Sequence, residues 1–357
     1  MKLIIFAGGT GKRFWPVSRK NSPKQFSSLI FGKPLIRIRI EVLLKKYKAE
    51  DIFISTGRIY EQEVRKLLPE LPPKNFILEP EMRDTGPATA LAVSYVHKLF
   101  PNEKVCIQWS DQIMKDNNTF LKALEIGDKM IRDETKIIFL SVPVRFPSVH
   151  RGYIQYQGKA KNINKNIKQI TFNQFKEKPD LETAKKYFSS KQYGWNPGYW
   201  ILDPEYFLSI YKEKYPEIYN TVSKIIENNL KGPSLLKFSK LERISADYAF
   251  AENVEAKYAK ILECNMGWSD VGEWISLKEA LQKDDKSNVV SGNVVDMGST
   301  DSIIYNLEDK KLVSTINLDG FVVVNTKDVI AIFRKEDNSL LKEYLKNVEE
   351  SGRDEYL

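Results

Sequence analysis

Short runs of consecutive apolar residues alternate with helix-period patterns through the first 140 residues. Strand candidates fall at 2–7, 52–55, 75–78, 104–109 and 137–141, and helical patterns lie between them at 34–47, 61–68, 87–99 and 118–131. Short apolar strands separated by amphipathic helices predict an α/β fold, a Rossmann-like and mainly parallel mixed sheet with helices on both faces. From 152 to 202 the pattern shifts to longer extended runs at 153–156, 167–176 and 199–202, with one helix near 181–189. Helical patterns resume at 204–231 and 245–256, and a strand at 260–264 leads to Gly267-Trp268-Ser269-Asp270.

After a helix near 272–282 the composition changes at Lys283-Asp284-Asp285-Lys286-Ser287. Short β-branched runs follow at 288–295, 302–305, 312–316, 321–325 and 329–333, then a closing helix near 337–349. This predicts a main domain over 1–283 and a small β-rich, β-helix-like appendage over 284–357.

Composition narrows the field. Apolar content of 42% supports a real core, so disorder is not expected. No apolar run approaches the roughly 18 residues of a membrane span, and no membrane partner is expected. Cys106 and Cys264 sit in apolar strand-like runs, which reads as buried thiols in a reduced, cytoplasmic protein. With only His97 and His150, no zinc constellation exists. The net charge of +8 invites a nucleic-acid reading, but the cations are dispersed over helical segments without interleaved aromatics. A lysine-rich solvated surface, with part of the excess serving anionic substrates, is the better account.

The chemistry concentrates in GGTGKRFWPVSRKNSPKQ, residues 8–25, directly after the first apolar run. Gly8, Gly9, Thr10 and Gly11, following Ala7, make a glycine-rich turn whose backbone N–H groups can approach a phosphate. The cations Lys12, Arg13, Arg19 and Lys24 come next and can neutralise it. The segment reads as a nucleoside-triphosphate site. It is not a Walker A loop, because Arg13 follows Gly11-Lys12, and it lacks the third glycine of a dinucleotide fingerprint.

This loop resembles the G-G-x-G-x-R signature of the sugar-nucleotide pyrophosphorylases. Within that superfamily, Trp15-Pro16, Ser18-Arg19 and Pro23-Lys24-Gln25-Phe26 resemble the mannose-1-phosphate guanylyltransferases. The resemblance covers most of residues 2–330 and implies a nucleotide-diphospho-sugar transferase fold. It also implies that Glu79-Pro80-Glu81-Met82-Arg83-Asp84-Thr85-Gly86 is the second nucleotide loop, with Glu79, Arg83 and Thr85 near the base and Asp84 where the family usually has Asn. Asp111, after strand 104–109, and Asp270 correspond to the carboxylates that hold Mg²⁺, with Gln112 standing where His is common. Glu177-Lys178-Pro179 resembles the element in which Lys178 binds the phosphate of the sugar-1-phosphate and Glu177 accepts from sugar hydroxyls. Asn196 and the backbone at Gly152 complete the sugar contacts, and Asp247-Tyr248-Ala249 matches a family pattern that packing explains as well as chemistry does. Pro197 replaces a Ser, removing a backbone donor and a hydroxyl, so the sugar contacts are expected to differ there.

The implied reaction transfers GMP from GTP to mannose-1-phosphate by direct in-line attack. Arg13 and Lys24 would serve the triphosphate and transition state, and Lys178 would align the nucleophile. The resemblance allows a homodimer. Two alternatives stay open: the same chemistry on another sugar phosphate, such as a heptose or fucose phosphate, and a catalytically silent GDP-sugar-binding homologue. Retention of Arg13, Lys24, Asp111, Lys178 and Asp270 argues against silence.

Overall fold

In the computed structural model, which describes residues 1–8, 14–19, 26, 32–131 and 134–357, the strand Lys2–Phe6 is buried along its whole length. Such a strand needs covered neighbours on both edges and both faces, and it has parallel partners in Ile52–Gly57 and Val105–Trp109. The chain packs as two compact units, Met1–Gly8, Ile40–Ser110 and Asp116–Met266 in one, Gly9–Arg39, Asp111–Lys115 and Gly267–Leu357 in the other.

The first unit carries a mixed sheet of ten strands among the described residues. They run Ala259–Cys264, Ile167–Lys176, Tyr153–Asn162, Tyr193–Trp195, Ile137–Pro143, Trp200–Leu202, Val105–Trp109, Lys2–Phe6, Ile52–Gly57 and Phe76–Glu79, and Ala259–Cys264 also pairs parallel with Ile137–Pro143. Parallel pairing joins the four strands from Val105–Trp109 to Phe76–Glu79, as the apolar runs predict. Trp200–Leu202 is inserted antiparallel between Val105–Trp109 and Ile137–Pro143, and the long hairpin 153–176 extends the sheet antiparallel.

The helix Thr85–Leu99 lays Ala88, Leu91, Ala92, Val93 and Val96 into the core. The sequence places helices over 204–231. The structure has two helices there, Pro204–Lys214 and Pro216–Glu227, because Pro216 cannot donate into the preceding turn and instead starts a new helix. The helical pattern at 245–256 resolves into one α-turn, Ala246–Ala249, followed by 3₁₀ turns.

The second unit contains the predicted β-rich tail. Val289–Ser291, Ile303–Asn306 and Phe321–Asn325 stack in parallel, Val294–Met297 pairs parallel with Val313–Ile316, and Ile330–Arg334 closes antiparallel. Parallel short strands stacked turn upon turn are the β-helix-like arrangement expected. The tail shares its core with Phe14, Trp15 and Leu35 from the start of the chain and with Val271 and Trp274 just before it, which pack with Val289, Ile303, Tyr305 and Val322. The helix Leu341–Glu350 contributes Leu341 and Leu345 to this core.

Candidate active site

Ligands of parallel sheets gather beyond the carboxyl ends of strands, and several predicted residues stand there. Ala7 follows the first strand. Its N–H donates to the Ser55 carbonyl at 2.8 Å, and its carbonyl accepts from Thr56 Oγ1 at 2.6 Å. Gly8 is exposed, with open space where a Cβ would point. Gly9, Thr10, Gly11, Lys12, Arg13 and Lys24 lie outside the described residues.

Glu79 ends the strand Phe76–Glu79 and is buried, with Oε1 accepting from Ser55 Oγ at 3.2 Å. Burial pushes its carboxyl up to about 7, against the opposing pull of the Ser55 hydroxyl. The loop that follows is fastened to the segment 241–246. Arg83 donates to the Leu241 carbonyl from Nε and Nη2 at 2.9 and 2.6 Å, the Gly86 N–H donates to Ile244 O at 2.8 Å, and Thr85 Oγ1 accepts from the Ala246 N–H at 2.8 Å. Asp84, in the left-handed region at φ 70°, accepts from the Thr85 N–H and caps the helix. Arg83 is thus a strap on its own loop as well as a candidate base contact. Thr85 keeps its hydroxyl proton to donate.

The residues expected at the sugar phosphate do come together. Lys178, with φ 42°, turns its ammonium back onto the Glu177 carboxylate. Glu177 is 5% exposed, its N–H donates to Glu252 Oε1 at 3.0 Å, and burial raises its carboxyl while Lys178 pulls it down. The Lys178 ammonium is also raised: burial disfavours its charge, but Glu177 and then Asp247 outweigh that cost.

Gly152 faces this pair closely. A Cβ there would stand 2.5 Å from Glu177 Oε2 and 2.7 Å from Phe175 Cζ, so only glycine lets the backbone approach. The loop leading to Gly152 is anchored by buried Tyr153, whose hydroxyl accepts from the Ser148 N–H at 2.8 Å and donates to Ser148 O at 3.1 Å. Arg151 lies over the buried Trp195 ring, 4.2 Å from its centroid.

Asn196 donates its N–H to Gly152 O at 2.8 Å, and its carboxamide bonds Asp247, Gly198 and Trp200. Asp247 is raised well above the carboxylate range, by burial first and then by Glu177. The sequence pattern does not decide between packing and chemistry for Asp247, and it gives no sign of Glu252. No local motif marks Glu252, which only the fold brings to Glu177, whereas Arg151 directly precedes Gly152 in the chain.

The second unit holds the two candidate metal carboxylates. Gln112–Met114 and Trp268–Asp270 form a short antiparallel ladder with Asp270 directly opposite Gln112. Opposite residues share a face, so the Gln112 side chain stands beside Asp270, and Asp111 immediately precedes it. The Gln112 carboxamide oxygen accepts from Trp268 Nε1 at 2.8 Å, and its carbonyl accepts from the buried Arg39 Nη2 at 3.0 Å. Gln112 therefore stitches the ladder that carries Asp270 and that Asp111 directly precedes. Arg19, counted with the phosphate cations, instead holds Asp328 through both arms. Trp15-Pro16 is likewise a packing element: Trp15 Nε1 donates to Tyr356 O at 2.7 Å and Trp274 Nε1 donates to Trp15 O at 3.1 Å.

Both cysteines are free and buried, and among the described residues no helix is long and apolar enough to cross a membrane.

The chain resembles known proteins in sequence and fold. A family model described as nucleotidyl transferase matches residues 2–287. The alginate biosynthesis protein AlgA of Pseudomonas putida is 30% identical over 99% of this chain and 72% of its own length. The mannose-1-phosphate guanylyltransferase RfbM of Salmonella typhimurium is 30% identical over 99% of this chain and 73% of its own. A crystal structure described as mannose-1-phosphate geranyltransferase from Thermus thermophilus shares the fold with a TM-score of 0.86, at 24% identity over 98% of this chain and 99% of that one. On this match, which spans the strand-end loops and the Glu177-Lys178 cluster alike, the chain belongs to the nucleotidyl transferase family and is a nucleotidyltransferase.

Proposed function

We propose that the protein transfers GMP from GTP to mannose-1-phosphate, giving GDP-mannose and pyrophosphate. The observation that carries this reading is the cluster of Glu177, Lys178, Asn196 and Asp247 against the Gly152 backbone. One ammonium among buried oxygen acceptors suits a ligand that is both anionic and polyhydroxylated. Relatives named for mannose-1-phosphate guanylyl transfer, at 30% identity over nearly the whole chain, support the choice of sugar and base.

In this reading a phosphate oxygen of the sugar-1-phosphate attacks the α-phosphorus of GTP. The new P–O bond forms as the bond to the β-phosphate oxygen breaks, and pyrophosphate leaves with that electron pair. The nucleophile is already ionised, so no general base is required. Lys178 exchanges Glu177 for the sugar phosphate and aligns it, which releases Glu177 to accept from sugar hydroxyls. Glu79, Thr85 and the loop backbone face the guanine, while Arg13 and Lys24 neutralise the triphosphate. Losing one such cation costs on the order of 2–4 kcal/mol of transition-state stabilisation.

Asp111 and Asp270 fit a divalent metal in their donor chemistry. Asp270 on the stitched ladder and Asp111 one residue before it offer hard oxygen ligands, and the described residues hold no group of three or more acidic, His or Cys side chains placed for a metal. Mg²⁺ held there would neutralise phosphate charge, with phosphate oxygens and water as its other ligands. We take residues 1–283 as the catalytic stretch and 284–357 as its structural appendage. The free buried cysteines suit a cytoplasmic setting.

A panel of nucleoside triphosphates against several sugar-1-phosphates, scored by pyrophosphate release, tests the assignment. GTP with mannose-1-phosphate should give the highest kcat/KM. A strong preference for another sugar phosphate would overturn the substrate while leaving nucleotidyl transfer in place.

A further inference from the structure

One ionisable group of the sugar-side cluster has no part in the reaction as drawn above. Asp247 lies in the helical turn Ala246–Ala249, which Ser245 caps, and its Oδ1 accepts from Asn196 Nδ2 at 2.9 Å. The other end of that carboxamide is fixed independently. Asn196 Oδ1 accepts from the Gly198 N–H at 2.9 Å and from Trp200 Nε1 at 3.0 Å. Both partners are donors only, so the carboxamide oxygen must face them and its nitrogen must face Asp247. Three of the four hydrogen-bonding positions of Asn196 are then engaged within the protein, and the remaining N–H can be aimed at a ligand.

Asp247 is itself held in place. The preceding residue, Ala246, donates to Thr85 Oγ1, and Ile244 O and Leu241 O accept from Gly86 and Arg83. A carboxylate on so constrained a segment costs free energy to bury, and Glu177 adds repulsion. Packing alone gives no reason for an Asp here, whereas orienting a ligand-facing carboxamide does.

We propose that Asp247 is a positioning residue that fixes the Asn196 carboxamide for the sugar phosphate. The proposal rests on assigning the sugar phosphate to Glu177, Lys178 and Asn196. Asp247 acts through Asn196 rather than by touching substrate, so its loss should appear in sugar-phosphate affinity and not in GTP binding.

The test measures steady-state kinetics of Asp247→Ala, Asp247→Asn, Asn196→Ala and the double Ala variant, with thermal melts to confirm folding. Misplacing a positioning group by about 1 Å can cost ~100-fold, so Asp247→Ala should raise KM for mannose-1-phosphate by ~10–100-fold with KM for GTP changed by less than ~3-fold. Asp247→Asn keeps an acceptor for Asn196 and should recover most of that loss. The double variant should be no worse than Asn196→Ala alone, since residues acting as one unit are not additive. Should Asp247→Ala fail to fold, Asp247→Ser carries the same comparison.

An unchanged sugar-phosphate KM in Asp247→Ala, beside a raised one in Lys178→Ala and Asn196→Ala, would overturn the role of Asp247 alone. Additive losses in the double variant would do the same. If Lys178→Ala and Asn196→Ala also leave that KM unmoved, the sugar-phosphate assignment falls, and this proposal with it.

Discussion

Arg19 closes both arms of its guanidinium on the carboxylate of Asp328, Nη1 and Nη2 donating at 2.9 and 2.6 Å, while its Nε donates to the Pro16 carbonyl at 3.0 Å. The Arg19 bond holds the Asp328 carboxyl below its ordinary range. Arg19 thus acts as a clasp between the start of the chain and its β-rich tail. Arg19→Ala should leave kcat and both KM values near wild type and lower unfolding free energy by about 0.5–1 kcal/mol, as expected for a partly exposed bidentate pair. Asp328→Ala should match it, and the double variant should be no less stable than either. A large loss of kcat in Arg19→Ala would return this residue to the phosphate site.

Glu79 makes the stability of the protein depend on pH. Its folded carboxyl titrates near 7, above the ordinary 4.5, chiefly because it is buried. The protonated form is the one the fold favours. Its contribution is therefore complete below about pH 4.5 and is lost as pH rises toward 7. Glu79→Gln keeps an acceptor for Ser55 and cannot ionise. In denaturant melts the variant should match wild type near pH 4.5 and become more stable at pH 8, by an amount on the order of 3 kcal/mol. Equal stabilities at both pH values would mean the carboxyl is solvated in the folded chain.

The two substrates should respond to different residues. Lys178→Ala should weaken use of mannose-1-phosphate far more than use of GTP, because Lys178 sits among Glu177, Asn196 and Asp247. Arg13→Ala and Lys24→Ala should damage the GTP side and the chemical step. Equal losses for both substrates in all three variants would sink this division.

Asp111→Asn and Asp270→Asn should fold normally, since other groups stitch the ladder that carries Asp270 and that Asp111 directly precedes, and both should lose Mg²⁺-dependent turnover. Thermal shift supplies a readout apart from turnover. Mg²⁺ with GTP should raise the melting temperature of wild type and not of either variant. Near-wild-type turnover at saturating Mg²⁺ in one variant would remove that residue from the metal.

Part of this candidate site is readable in the chain because some of its contacts are local: Lys178 meets Glu177, Gly198 meets Asn196 and Thr85 meets Asp84. The bonds from loop 79–86 to 241–246, and from Asn196 to Asp247, span 51 to 161 residues and are not. The clasps are not readable. Trp15 meets Tyr356 across 341 residues and Arg19 meets Asp328 across 309, and no periodicity encodes such partners. Without them Trp15-Pro16 and Arg19 look like parts of the phosphate loop.

The last prediction concerns Pro197, where the sequence alone suggests a lost sugar contact. The structure gives the turn a different logic. Asn196 Oδ1 accepts from the Gly198 N–H, an Asx turn closed by residues 196 and 198, so no donor is needed from position 197. Gly198 sits at φ 79°, and a Cβ on it would lie 2.0 Å from Trp109 Nε1, which pins the turn against the end of its strand. Proline then restricts the unfolded chain without altering what the folded turn presents. Pro197→Ser should accordingly lower stability by about 0.4–1 kcal/mol through the unfolded state. The mannose-to-glucose ratio of kcat/KM should stay within about threefold of wild type, because the carboxamide and backbone proposed to face the sugar are fixed by other bonds. A hydroxyl that read the sugar would act more strongly, since a site built to hydrogen-bond a hydroxyl discriminates well beyond the ~10–200-fold of a looser one. A rise of that size on introducing Ser would show that position 197 reads the sugar and that Pro197 has relaxed the specificity of this chain.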